Sequence, residues 1–184
     1  MIAIKINKKG FANTAKLITS PNFDARPSTK ESDTEISMVV IHNISLPPSQ
    51  YGGTGIIELF TNTLNPNEHP YYAEIYTRKV SSHFLIRRDG ELLQFVSCLQ
   101  RAWHAGVSSW QGHERCNDFS VGIELEGSDF EIFEPAQYTT LQPLIYALKN
   151  TYPIQTIVGH SDIAPGRKTD PGPYFDWDKI NTTS

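Results

Sequence analysis

The segment Ser37–Ile41 constrains the fold of this chain more than any other part of its sequence. It is a short, continuous apolar run that is rich in β-branched side chains, a pattern typical of a strand buried on both faces. Such a strand needs a layer of packed structure on each side of its sheet. The segment therefore predicts the core of an α/β sheet, and His42 follows directly at the carboxyl end of the strand.

Further segments predict the elements that complete this sheet and cover it. They are a helix that begins at Thr54-Gly55 and ends before Asn65-Pro66, a β-hairpin of Ser82–Arg87 and Leu92–Val96 around the turn Arg88-Asp89-Gly90, a strand at Val121–Glu126, a helix at Pro135–Asn150 and a last strand at Thr156–Val158 that leads to His160. The stretch Asn65–Arg78 holds two prolines and has no clean period, so we interpret it as a long ordered loop. A chain of 184 residues can bury one core, and we expect a single α/β domain over residues 1–184.

Two histidines and one aspartate are candidate metal ligands. His42 and His160 each follow a predicted strand, and Asp170 comes ten positions after His160. Two imidazoles and one carboxylate leave the fourth tetrahedral position open for water, which is the arrangement of catalytic rather than structural zinc. The pattern leaves other interpretations open, because any histidine could be a hydrogen-bonded or surface residue. Asp170 could instead initiate a turn before the following proline, and Asp162 is a closer carboxylate to His160.

The strand predicted at Val121–Glu126 alternates in period two. Its apolar residues share one face, and Glu124 and Glu126 share the other. Two carboxylates on one strand face could be solvated, or they could belong to a functional site.

Charge and hydropathy exclude several classes of function. The formal net charge is −4 and no basic run is present, so nothing favours binding to nucleic acid. No window approaches the run of about 18 apolar residues that a membrane helix requires. The N-terminal residues lack the apolar block and small-residue cleavage site of a signal peptide. We therefore expect a cytoplasmic protein with no nucleic-acid or membrane partner.

A set of longer motifs carries a resemblance to a known family. The motifs are Val40–Pro48, Ile86–Glu91, Arg101–Val107, Arg115–Gly127, Gly159–Pro165 and Arg167–Pro173. These motifs follow one another in unbroken order, and from about Pro21 to Trp177 the chain resembles the zinc-dependent N-acetylmuramoyl-L-alanine amidases. Within that family it is most similar to the cytoplasmic members that act in peptidoglycan recycling.

The resemblance implies a role for each candidate residue. His42, His160 and Asp170 are implied to bind Zn²⁺. Glu124 is implied as the catalytic carboxylate and Lys168 as a catalytic cation. The implied fold, shared with peptidoglycan-recognition proteins, is a central mixed β-sheet flanked by helices. The remaining polar candidates are then expected to support the ligands or line the pocket, namely Glu126, Asp162, His83 and His104.

The resemblance also implies a small muropeptide substrate, a 1,6-anhydro-N-acetylmuramoyl peptide, and we expect the enzyme to act on it as a monomer. Asn43, Trp103 and Arg115 are implied to bind it, although Trp103 could equally belong to the core. Arg115 is suited to a bidentate contact with a carboxylate of the peptide stem. Where close relatives carry a second arginine, this chain has Lys79, with Arg78 beside it. Lysine offers a point charge instead of a fork, which puts the choice of stem residue in question.

Two other functions compete with this interpretation. A recognition module of the same fold would bind muropeptides without cleaving them, and such modules commonly lose a metal ligand. The complete set of His42, His160 and Asp170 argues against it. A lytic amidase acting on the polymeric cell wall would be expected to carry a signal peptide, a wall-binding domain or a strongly basic surface, and the sequence predicts none of these.

Overall fold

The computed structural model describes residues 3–29, 32–33 and 35–180 of the chain. Its strands are, in chain order, β1 (Lys16–Leu17), β2 (Phe23–Ala25), β3 (Ser28–Thr29), β4 (Ser32–Asp33), β5 (Met38–Ile44), β6 (Phe84–Ile86), β7 (Leu92–Gln94), β8 (Gln100–Ala102), β9 (Ser109–Trp110), β10 (His113–Glu114), β11 (Ser120–Glu126) and β12 (Thr156–Gly159). Its α-helices are α1 (Gly55–Thr61), α2 (Pro70–Ile75), α3 (Pro135–Thr151) and α4 (His160–Ile163), and 3₁₀ helices occur at Cys116–Asp118 and Trp177–Lys179.

A six-stranded mixed sheet, in the order β1-β7-β6-β11-β5-β12, forms the centre of the molecule. The strand β5 contains Met38–Ile41 of the segment from which the core was predicted and continues through His42 to Ile44. Val39, Val40 and Ile41 are completely buried. It pairs in parallel with β11 on one side and with β12 on the other. The strands β6 and β7 form the predicted antiparallel hairpin. The predicted fold class, a central mixed sheet flanked by helices, is confirmed.

Helices and apolar side chains cover both faces of this sheet. On one face, Phe84 and Ile86 of β6 pack with buried residues of α3 such as Leu141. On the other face, Leu85 packs with residues of α1 and α2, among them Phe60. Burial of each such side chain stabilises the fold by about 1.5–3 kcal/mol. Within the described ranges, no helix is long and apolar enough to cross a membrane.

The interpretation of Asn65–Arg78 as a loop is wrong for Pro70–Ile75, which form α2. Pro70 occupies the first turn of the helix, where its missing N–H removes no helical hydrogen bond. The backbone N–H of Tyr71 donates to His69 Nδ1 at 3.1 Å and so caps the helix. The buried side chains of α2 pack into the same apolar cluster as those of α1. The second proline of the stretch therefore marks the beginning of a short helix.

Parallel strands bring the candidate residues to one region of the sheet. His42 of β5 pairs in register with Glu124 of β11. Because side chains in register on neighbouring strands point to the same face, these two residues share a face. His160 follows β12 directly as the first residue of α4. The site is thus assembled near the carboxyl ends of parallel strands, where open α/β sheets bind their ligands.

Candidate active site

The side chains of His42, His160 and Asp170 meet beside the carboxyl ends of β5 and β12. His42 Nδ1, His160 Nδ1 and Asp170 Oδ2 form a triangle in which each pair of atoms is 3.0 Å apart. Both histidines are buried, and the side chain of Asp170 is only 14% exposed. The structure therefore brings together the three residues that were predicted as metal ligands, and we call them the metal cluster.

Asp162, the carboxylate closer to His160 in sequence, lies outside the metal cluster. Its Oδ2 accepts a hydrogen bond from the backbone N–H of Gly159 at 2.7 Å, which caps the first turn of α4. The backbone N–H of Ser161 donates to the carbonyl oxygen of Asp170 at 2.9 Å and holds the later segment against the helix. Asp162 is thus engaged in a local cap, and Asp170 is the carboxylate beside the histidines.

The protonation states in the metal cluster suit metal binding. Burial lowers the pKa of His42 to about 4, so its imidazole is neutral at neutral pH. Burial alone would raise the pKa of Asp170, but its contacts with the imidazoles of His160 and His42 hold that pKa well below its usual range. Asp170 is therefore a carboxylate anion. His160 Nε2 donates to the carbonyl oxygen of Ala105 at 3.0 Å, which leaves the lone pair of Nδ1 directed at the cluster.

These residues fit a bound cation. Nitrogen and oxygen ligands of tetrahedral zinc lie ~2.0–2.1 Å from the ion, which places the ligand atoms of a tetrahedron ~3.3 Å from one another. The 3.0 Å edges of the triangle are close to that spacing. The lone pair of His160 Nδ1 and the anionic oxygen of Asp170 point at one position and repel one another unless a positive charge lies between them. The metal cluster is thus a group of side chains that could hold one metal ion.

Glu124 lies next to the metal cluster with one carboxyl oxygen that has no hydrogen-bond partner among the described residues. Its side chain is buried, and this oxygen is its Oε2. Burial and the nearby charge of Asp170 raise the pKa of Glu124 well above its ordinary value, and the ammonium of Lys168 acts in the opposite direction. A buried carboxyl group with an unused oxygen and a raised pKa is typical of a catalytic acid or base.

Glu126, two residues further along β11, has a structural environment. Its Oε1 accepts hydrogen bonds from the backbone N–H of Gly52 at 2.7 Å and from Arg87 Nη1 at 3.1 Å. Its Oε2 accepts one from the backbone N–H of Arg88 at 3.2 Å. Both glutamates are buried, so the solvated-face interpretation of β11 is wrong. Glu126 ties two loops to the sheet, while Glu124 remains available to a ligand.

The metal cluster forms part of the wall of a cavity of about 370 Å³. Glu124 and Lys168 line the same cavity, so the structure brings together all the residues predicted to bind metal or to act in catalysis. Helices α1 and α2 contribute apolar side chains to one wall, and Ser128–Phe130, after β11, contribute to another. The cavity can therefore hold a ligand whose reacting group lies against the cluster.

The structure separates the residues predicted to bind substrate into two groups. Asn43 and Trp103 line the cavity. The side-chain amide of Asn43 donates to Asp129 Oδ1 at 2.6 Å, and so holds the loop after β11 against the site. Lys79 and Arg115 are exposed and do not line this cavity. Arg115 Nε is 3.3 Å from the carboxylate of Asp118.

Arg78 and Phe130 are among the residues of the cavity wall to which the sequence analysis assigned no role. Arg78, the neighbour of Lys79, lines the cavity from the segment that follows α2. Phe130 lies at its rim with 82% of its surface exposed. Arg78 is a basic residue next to Lys79, which stands at the position of the family's second arginine, and this was a usable signal for it. A single exposed aromatic residue in a loop is common in proteins, so the sequence held no signal for Phe130.

A family model described as N-acetylmuramoyl-L-alanine amidase matches residues 32–173. The chain belongs to the N-acetylmuramoyl-L-alanine amidase family. The match includes the metal cluster, Glu124 and Lys168, and it confirms the resemblance inferred from the sequence. The protein is accordingly an N-acetylmuramoyl-L-alanine amidase.

Individual amidases are similar to this chain over most of its length. The 1,6-anhydro-N-acetylmuramyl-L-alanine amidase AmpD of Citrobacter freundii is 53% identical over 171 residues, which are 92% of this chain and 89% of that protein. A crystal structure of a selenomethionine derivative of AmpD has a TM-score of 0.89 at 52% identity, and the match covers 94% of this chain and 96% of that one. The Escherichia coli amidase AmiD, in complex with the substrate anhydro-N-acetylmuramic acid-L-Ala-D-γ-Glu-L-Lys, has a TM-score of 0.60 at 31% identity, with 97% of this chain and 64% of that one covered.

Proposed function

We propose that this amidase hydrolyses 1,6-anhydro-N-acetylmuramoyl peptides at the amide between the lactyl group of the sugar and L-alanine, as a step of peptidoglycan recycling. The observation that carries the proposal is the triangle of His42, His160 and Asp170 in one cavity with Glu124, whose Oε2 has no hydrogen-bond partner within the described part of the chain. The name of the Citrobacter freundii relative and the anhydro substrate bound to AmiD support the choice of substrate. Action in the cytoplasm and as a monomer remain predictions from the sequence.

We assign the metal as Zn²⁺, held by the metal cluster. Two imidazole nitrogens and one carboxylate oxygen form a ligand set that is typical of catalytic zinc, with an open position for a reactant. When bound, zinc supplies Lewis acidity, which polarises a carbonyl group and acidifies water. The neutral state of His42 and the charged state of Asp170 make both ligands ready to bind it at neutral pH.

Glu124 serves as the general base and then as the general acid of the reaction. It accepts a proton from the attacking water while the water oxygen bonds to the lactyl carbonyl carbon. It then returns this proton to the nitrogen of L-alanine as the carbon–nitrogen bond breaks, because an amine anion is a poor leaving group. The raised pKa of Glu124 suits both steps, since it brings the group closer to the pH at which it must exchange its proton.

Lys168 stabilises the negative charge that develops on the carbonyl oxygen. Its side chain lines the cavity beside Glu124 and Asp170, so its ammonium lies near the position of the reacting amide. A fixed positive charge at that position acts on the tetrahedral intermediate more strongly than on the neutral substrate. Loss of one such group typically costs about 100-fold in rate.

Arg78 is our candidate for the contact with a carboxylate of the peptide stem, because it lines the cavity and Lys79 does not. We expect Arg78→Ala to raise KM roughly tenfold with little change in kcat, since a charge-assisted hydrogen bond contributes about 1.5–3 kcal/mol before exposure to solvent weakens it. Lys79→Ala, the matched variant one residue away, should raise KM less. Steady-state kinetics with a free stem and with a stem whose carboxylates are amidated measure both effects. A larger effect of Lys79→Ala would return the role to Lys79, the residue at the position of the family's second arginine.

The substrate assignment is tested by mass spectrometry of 1,6-anhydro-N-acetylmuramoyl-tripeptide incubated with the purified chain. We expect free tripeptide and the anhydro sugar to appear, to cease after chelation and to return when zinc is restored. Binding without cleavage at full zinc occupancy would instead identify a recognition module. Clearing of intact sacculi at a rate similar to cleavage of the soluble fragment would identify a lytic amidase.

A further inference from the structure

A continuous chain of buried hydrogen bonds leads from His42 into the protein interior. His42 Nε2 is 2.9 Å from His104 Nδ1. His104 Nε2 is 3.2 Å from Ser120 Oγ, and Ser120 Oγ is 2.5 Å from the carbonyl oxygen of Cys116. His42 and His104 are at most 9% exposed, and Ser120 is completely buried. The metal ligand is thus connected to a backbone acceptor on the side opposite to the metal cluster.

The acceptor at the end of this chain determines the direction of every bond in it. A carbonyl oxygen only accepts, so the hydroxyl group of Ser120 donates its single proton to Cys116. The Ser120 oxygen must then accept from the Nε2–H of His104. A neutral imidazole carries one N–H, so His104 Nδ1 is an acceptor and His42 Nε2 is the donor to it. The lone pair of His42 is left on Nδ1, the atom that belongs to the metal cluster.

Three alternate residues of β11 build the platform for this chain. Ser120, Gly122 and Glu124 share a face of the strand, and His104 lies over its middle position. A Cβ atom on residue 122 would lie 2.5–2.8 Å from the imidazole atoms of His104. Glycine at this position therefore makes room for the ring between Ser120 and His42. The same strand thus supplies the end of the hydrogen-bond chain, the space for its middle member and the catalytic carboxylate.

The carboxylate of Asp170 opposes the tautomer of His42 that this chain of hydrogen bonds favours. Its Oδ2 lies 3.0 Å from His42 Nδ1, where a carboxylate attracts a proton onto that nitrogen in the absence of a metal. With the proton there, His42 Nδ1 has no lone pair for a metal ion. The hydrogen bonds through His104 and Ser120 favour the opposite tautomer of the same ring.

We propose that Ser120 and His104 are positioning residues that keep the proton of His42 on Nε2, so that Nδ1 is prepared to bind the metal. The inference rests on the metal site of the proposed function. It concerns the preparation of one ligand and not the identity of the substrate. The nearby imidazole of His83 does not determine the tautomer of His104, because both of its ring nitrogens have backbone partners. His83 Nε2 lies 3.0 Å from the carbonyl oxygen of Gln100, and His83 Nδ1 accepts a hydrogen bond from the backbone N–H of Gly122.

The test compares Ser120→Ala with Ser82→Ala in the full chain. Ser82 is also completely buried, but its Oγ has no hydrogen-bond partner among the described residues. Ser82→Ala therefore removes the same kind of atom and leaves the hydrogen bonds from His42 to Cys116 intact. Nitrogen-15 NMR of the imidazoles in metal-free protein, above the ordinary histidine pKa, reports which nitrogen of His42 carries the proton. Competition with a chromogenic chelator reports the zinc affinity.

In the wild type and in Ser82→Ala we expect the proton of His42 on Nε2. In Ser120→Ala we expect a shift of this proton toward Nδ1 and a zinc affinity about 10- to 100-fold lower, the range typical for partners of a metal-bound histidine. If Ser120→Ala does not fold, Ser120→Cys carries the same expectation, because a thiol is a poor hydrogen-bond partner. A wild-type His42 with its proton on Nδ1, or a Ser120 variant with unchanged tautomer and affinity, would overturn the proposal. Zinc binding with the expected tautomer but without cleavage would contradict the proposed function alone.

Discussion

Replacement of Glu124 by glutamine should lower kcat about 1,000-fold while the protein keeps its fold and its bound zinc. Positioned general acid–base groups contribute about 10²- to 10⁴-fold, and a single residue that performs both proton transfers belongs in the upper part of that range. Glutamine has nearly the same shape as glutamate but cannot accept and return a proton at neutral pH. Zinc should remain bound because Glu124 is not a member of the metal cluster.

The same variant should not lose stability. The Oε2 atom of Glu124 has no hydrogen-bond partner among the residues that the structure describes, so the substitution breaks no bond at that atom. Burial also penalises the charged form of this carboxyl group, which is why its pKa is raised. A neutral amide avoids that cost, and the thermal midpoint should be unchanged or higher.

Glu126→Gln provides the matched control on the same face of β11. Its carboxylate accepts hydrogen bonds from Gly52, Arg87 and Arg88, and an amide cannot accept on its nitrogen. We expect a loss of about 1–3 kcal/mol in the free energy of unfolding and a smaller loss of kcat than for Glu124→Gln. Thermal denaturation, zinc content and steady-state kinetics measure the three quantities. Loss of zinc from Glu124→Gln, or wild-type kcat in that variant, would remove Glu124 from its catalytic role.

Burial patterns made the framework of this protein predictable. The apolar run at Ser37–Ile41 and the alternation at Val121–Glu126 both predicted central strands, because each pattern gives a strand at least one apolar face to bury in the core. The helix α2 was missed because it is six residues long and begins with a proline, so its sequence has too few turns to display a period. Short elements whose stability comes from packing leave little trace in a local pattern.

The residue types of the site could be predicted from the sequence, but their arrangement in space could be predicted only in part. His42 and His160 are 118 positions apart, and only the pairing of β5 with β12 brings them together. The choice between Asp162 and Asp170 depended on a local cap, which a spacing argument does not reveal. The chain through His104 and Ser120 depends on the directions of hydrogen bonds across neighbouring elements, and serine and histidine follow no period that would indicate it.

Replacement of Asp170 by asparagine should remove zinc from the protein and, with it, the activity. The carboxylate supplies the only negative charge among the three atoms of the metal cluster, and a neutral amide oxygen is a much weaker ligand for zinc. Removal of a residue that only hydrogen-bonds to a metal ligand lowers the metal affinity about 10- to 100-fold. Removal of a ligand itself should therefore lower the zinc affinity more than about 100-fold. At zinc equal to the protein concentration, kcat should fall to background.

Asp162→Asn makes the same chemical change eight positions earlier and should retain zinc. Asp162 caps α4 through the backbone N–H of Gly159, and an asparagine oxygen can still accept that bond, so we expect a loss of at most about 1 kcal/mol in the free energy of unfolding. Zinc content after dialysis against a chelator, followed by kinetics with increasing zinc, distinguishes the two aspartates. Partial recovery of activity by Asp170→Asn at high zinc would show that the substitution lowers the affinity for zinc and does not remove a proton-transfer group. Retention of zinc by Asp170→Asn together with its loss from Asp162→Asn would mean that the third ligand is the nearer carboxylate, and that the triangle of 3.0 Å contacts is not the metal site.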